Sequence, residues 1–94
     1  MNSDASRDES SLLIREILTH VVRHPDAKDT LDGIHKFWLS AQTAQQSRNK
    51  VHDALEYLSE QKHWLTKKSA GAAVTLFGVN KDRADEIREF LSAS

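Results

Sequence analysis

Five histidines in 94 residues are the first chemistry this chain offers. His20 and His24 have the i, i+4 spacing that puts two imidazoles on one helix face, as paired metal ligands require. No carboxylate stands beside them to complete a site, and a histidine near a helix C-terminus is also stabilised by the helix dipole. A structural role is therefore expected, with no metal and no other cofactor. His35 falls on the apolar side of its segment, beside Leu31 and Trp38, as a hydrogen-bonded residue at the core edge would. A buried histidine would make stability drop at mildly acid pH, where it must charge. The chain has no cysteine, which removes thiol nucleophiles, disulfides and thiolate metal sites. Its glycines stand only at 33, 71 and 78, so there is no phosphate-cradling loop, and G-x-S-x-G is absent. Adjacent carboxylates such as Asp85 and Glu86 have the pattern of surface helix charges. The expectation is a protein that is not an enzyme.

Length and charge set the frame for these residues. The chain has room for one domain and one modest core. No apolar run approaches the roughly 20 residues that span a bilayer, and the polar, acid-bearing start MNSDASRDESS is unlike a signal peptide. A cytoplasmic, non-membrane protein is expected. The net charge is -1, but its distribution is uneven. Residues 1–41 carry five basic and seven acidic side chains, residues 42–70 five and three, and residues 71–94 three and four. The middle segment alone is net positive.

The elements that must position these residues follow from periodicity. Residues 1–10 read as a flexible arm, with Ser6 and Glu9 at capping-box spacing and Ser10 or Ser11 as alternative caps. Leu13, Ile14, Ile17, Leu18 and Val21 share one helix face, with Arg15, Glu16, Thr19 and Arg23 opposite. That helix ends before Pro25, which disfavours helical backbone in the residue preceding it. After a turn over 25–29, a second helix starts at Asp29 or Thr30 and buries Leu31, Ile34 and Trp38. Phe37 leans off that stripe, which makes it the candidate exposed anchor. Gly33 lies on the far face, where only the close approach of another backbone would justify it. Residues 41–46, AQTAQQ, form a turn with room for one short strand. Ser47 caps a third helix whose inner stripe is Val51, Ala54, Leu55 and Leu58, ending near Lys62. Trp64 and Leu65 open a ribbon that turns at 69–73, with Gly71 supplying a positive φ, and returns through the strand-rich run 74–79. Asn80 caps a last helix with the stripe Ala84, Ile87, Phe90 and Leu91, which either folds back on the first helix or pairs with a second chain.

Two stretches, ALEYLSEQKHWL at 54–65 and LFGVN at 76–80, resemble the winged helix-turn-helix family of bacterial regulators. Spaced leucines end the third helix, an apolar step enters the wing, and an aromatic and an asparagine leave it. His63-Trp64 stands where the family usually has a glycine. The resemblance covers residues 12–80. It implies a mainly α fold with a small antiparallel β ribbon: three helices and a two-stranded wing over 11–80, plus a C-terminal helix over 81–94. It also implies a DNA-binding, regulatory protein whose third helix enters the major groove of double-stranded DNA while the wing meets the backbone. Carried over by position, the base readers are Ser47, Arg48, Asn49, Lys50, His52 and Asp53, with Gln45 and Gln46 at the entry and Lys67, Lys68 and Ser69 as phosphate contacts. Arg48 suits a guanine edge, and Asn49 and the glutamines suit adenine. A terminal helix often dimerises in this family, so a two-fold homodimer is implied as well.

The same helix carries a contrary signal. Opposite the core stripe stand Asn49, Asp53, Glu56 and Glu60, three of them acids that would face a polyanion. DNA contact should therefore be confined to the N-terminal end of the helix and be sensitive to salt. The alternative is a winged-helix module that docks a protein partner through the third helix or through Phe37, without binding DNA.

Overall fold

The computed structural model describes residues 3–93 apart from 42 and 72, with side chains described from residue 11 onward. The first helix, α1, runs Ser3–Arg23. It begins before the residues expected to cap it: Ser6, Ser10 and Ser11 lie inside the helix and none is its cap. Once Leu13, Ile17, Leu18 and Val21 are anchored in the core, each further turn costs only its propensity difference, tenths of a kcal/mol per residue, so the helix propagates into the polar segment. Met1 and Asn2 lie outside the described residues.

The segment expected as a plain turn contains a short strand, β1, Lys28–Asp29. Among the described residues of 41–46 there is no strand; a 3₁₀ turn, Thr43–Gln45, stands there. Asp29 then does local work: its Oδ1 accepts the Thr30 N–H at 2.8 Å, and Thr30 Oγ1 accepts the Gly33 N–H at 3.2 Å. Thr30 is thus the cap of α2, Leu31–Gly33, which continues as a π-helical turn over Ile34–Trp38. The Asp29 carboxylate lies where a Cβ on Gly33 would sit, so the glycine makes room for a side chain rather than for a neighbouring backbone.

Ser47 caps α3, Arg48–Glu56, by accepting the Lys50 N–H at 3.2 Å, and a second π-helical turn, Tyr57–Gln61, extends it. His63 then takes φ 58, the left-handed position that the expected glycine would have filled. Trp64 N–H closes back on the Leu58 carbonyl at 2.9 Å, a widened relative of the usual glycine-ended helix stop. The ribbon is β2, Leu65–Ser69, and β3, Thr75–Val79, antiparallel with Leu65 opposite Val79 and Lys67 opposite Phe77. Gly71 turns it at φ 104, as expected, and Ala73 adds φ 61. β1 joins the other edge of β3, so the expected two-stranded ribbon is a three-stranded antiparallel sheet ordered β1-β3-β2.

Asn80 ties the far end of the sheet: Nδ2 donates to the His63 carbonyl at 2.7 Å, its N–H to the Trp64 carbonyl at 2.8 Å, and its Oδ1 caps the 3₁₀ turn Lys81–Arg83. Helix α4, Ala84–Ala93, follows and folds back on α1 of its own chain. Ile87 is fully buried, Leu91 packs on the core edge, and Phe90 meets the Trp64 ring at 5.3 Å. The core joins α1, Ile34 and Trp38 of the second helix, Val51, Ala54, Leu55 and Leu58 of the third, Trp64 just before the sheet, and Leu65 and Phe77 within it. The protein is therefore mainly helical with a small antiparallel sheet, and no described helix is long and apolar enough to cross a membrane.

Candidate nucleic-acid interface

The turn before α3 is held from two sides. Glu16, expected on the solvent face of α1, accepts the Ser40 N–H at 2.8 Å, Ser40 Oγ at 3.0 Å and buried Thr43 Oγ1 at 2.8 Å. Burial pushes the Glu16 carboxyl up, but these three donors outweigh it and hold the group below its ordinary value. On the other side, His35 Nε2 lies 3.0 Å from the Ala44 carbonyl and 2.9 Å from that of Gln46, which fits an N–H shared between two acceptors. His35 is thus the hydrogen-bonded core-edge residue expected. Together the two anchors fix where α3 begins and how Ser47 presents its first turn.

From that start the predicted readers divide between two faces. Arg48 and His52 point into a groove of about 370 Å³ between the start of the second helix, α3 and the ribbon, where Lys67 and Phe77 of the sheet join them. Lys50 and Asp53 lie on the opposite flank of α3, beside a cleft of about 270 Å³ lined by Leu13, Ile14 and Tyr57 of α1 and α3. Asn49 and Gln45 are exposed, while Gln46 is half-buried and contributes its carbonyl to His35. On the ribbon, strand alternation sends neighbouring lysines apart: Lys67 shares the face of Phe77, and Lys68, opposite Leu76, takes the other. Lys68 and Ser69 are exposed.

The cations in the groove face acids. Arg48 Nε reaches Asp32 Oδ1 of the second helix at 2.6 Å. That hydrogen bond, with the guanidinium charge, holds the Asp32 carboxyl below its ordinary value. Lys67 Nζ sits 3.0 Å from both Glu56 oxygens and 2.7 Å from Glu60 Oε2. Hydrogen bonds to Glu60 and Glu56 raise the Lys67 ammonium, and the Lys67 donor lowers Glu60. His52 Nε2 stands 3.5 Å from Glu56, and its Nδ1 3.9 Å from Asp53. Asp32 and Glu16 are the residues that sequence reasoning did not single out here. Their partners are 16 and 27 positions away, with no local spacing to expose them.

Elsewhere, His20 stacks on Trp38 at 4.4 Å and lies 4.8 Å from the His24 ring. Among the described residues no group of three or more histidine, cysteine or acidic side chains could hold a metal ion. Trp38 is buried as expected, Trp64 is buried too, and Phe37 is 76 % exposed. Set against protein-family models, curated proteins and solved structures, the chain matches none significantly.

Proposed function

We propose that the protein is a winged helix-turn-helix module, without catalytic activity, that binds duplex DNA through the groove-facing start of α3 and the β2–β3 wing. The order helix, strand, helix, helix, hairpin with a β1-β3-β2 sheet is compatible with that fold. One observation carries the functional reading: Arg48, His52 and Lys67, drawn from two separate elements, converge on one concave face with Asn49 and Gln45 exposed around it. A guanidinium and amides at a helix start are the groups that read base edges, and a wing lysine suits a phosphate. Lys50, Asp53 and Lys68 fall outside this narrower footprint.

Polarisation of a labelled mixed-sequence duplex tests the reading. With about two cationic contacts, from Arg48 and Lys67, affinity should fall about tenfold between about 50 and about 200 mM salt. Arg48→Ala should weaken binding about tenfold or more at the low salt, in line with the roughly 1–3 kcal/mol carried by a good base contact. No binding at low salt removes the DNA reading. The second reading, a protein-docking module, is favoured by Phe37: a large aromatic left in water on a helical turn is the residue type that anchors partners. Phe37→Ala leaving duplex affinity unchanged would separate that surface from the DNA face. A homodimer would use the outer edges of Phe90 and Leu12, 37 % and 47 % exposed on α4 and α1. A monomer in sedimentation velocity removes it.

A further inference from the structure

Glu56 and Glu60 are one turn apart on α3, and both receive the same ammonium. Lys67 crosses from β2 to reach three carboxylate oxygens within 3.0 Å, which straps the wing onto the outer face of the helix. One cation serves two anions, so the cluster presents a net negative charge to any approaching phosphate. Lys67 is the only lysine that the ribbon directs to the Phe77 face, so its engagement with α3 removes the wing's cation from that side.

Resting on the duplex reading above, we propose that Glu56 and Glu60 are specificity-determining residues. They hold Lys67 against α3 so that phosphate must displace two carboxylates before the wing engages. Sequence-independent affinity follows the number of phosphates that cations neutralise, so masking one lysine suppresses it. Contacts at Arg48 and Asn49, at the far end of the helix, are left to carry discrimination among sequences.

The test uses the full chain and a labelled duplex of mixed sequence. The double variant Glu56→Gln/Glu60→Gln keeps shape and hydrogen-bond acceptors while removing both charges. It should bind about tenfold tighter at about 50 mM salt, with a log–log salt slope steeper by about 0.9, as one added phosphate contact requires. Adding Lys67→Met should abolish that gain, and Asp85→Asn/Glu89→Gln on α4 should not reproduce it. Glu60→Gln alone, more exposed and simpler to accommodate, should move the same way by less. A gain that survives Lys67→Met overturns the clamp and leaves plain charge repulsion. No gain in a double variant whose wild type binds overturns the clamp and leaves the DNA reading standing. No binding by either protein overturns both.

Discussion

A histidine occupies the position at which the backbone reverses after the third helix. At φ 58, His63 carries a Cβ where the left-handed conformation disfavours one, at a cost of about 1 kcal/mol. Its carbonyl, held by Asn80, fixes the geometry regardless of the side chain. His63→Gly should therefore stabilise the fold by up to about 1 kcal/mol in urea denaturation, after the extra chain entropy of glycine is subtracted. Unchanged or lower stability would contradict the strain. The pH dependence also belongs to single residues. Burial, then the neighbouring His24 charge, lowers His20 from its ordinary 6.5, with Asp29 opposing. The unfolded chain takes that proton first, so the His20 contribution is complete above 6.5 and is lost as pH falls through that value toward the folded one. Glu16, lowered from 4.5, contributes fully above 4.5 and is lost as pH falls below it. Stability should thus drop in two acid steps. His20→Gln should remove the upper step and Glu16→Gln the lower, as read from melting temperature against pH. The stack of His20 on Trp38, which desolvates its ring, joins two helices and has no local spacing to announce it, so the sequence did not single this histidine out for that role.

At the scale of elements, periodicity carried the helices and local chemistry their caps. Ser47, Thr30 and Asn80 cap as their types and positions predicted, and the inner stripe of α3 is the buried one. The strand Lys28–Asp29 was not legible, because two polar residues have no periodicity and pair only because β3 has a free edge beside them. Which face of the ribbon each lysine takes also depended on register, since shifting the pairing by one residue exchanges Lys67 and Lys68. The last helix could fold back or pair with another chain, and the sequence alone left both open. Ile87, with no exposed surface, belongs to the same core as Leu13 and Trp64. Ile87→Ala should cost about 2–5 kcal/mol in chemical denaturation, as for other fully buried isoleucines. A loss below about 1 kcal/mol would mean that α4 is an appendage and not a wall of the core.

For the molecule as a whole, the small net charge of -1 hides an arrangement in which cations and acids alternate along one face. On the proposed reading the footprint is Arg48, His52, Asn49, Gln45 and the wing, and the fold adds Asp32 to the acids Glu56 and Glu60 that the sequence already set against it. Under that reading, such a surface would hold a duplex by its helix start and hairpin, and only while salt is low. The measurement that bears most directly on this is a residue-resolved map of backbone amide shifts on titration with a mixed-sequence duplex at low and at moderate salt. Shifts gathered at 45–49, at His52 and across 66–71, fading as salt rises, are the expected result. An unchanged spectrum at low salt, or shifts centred on Phe37 with none at the start of α3, would contradict it.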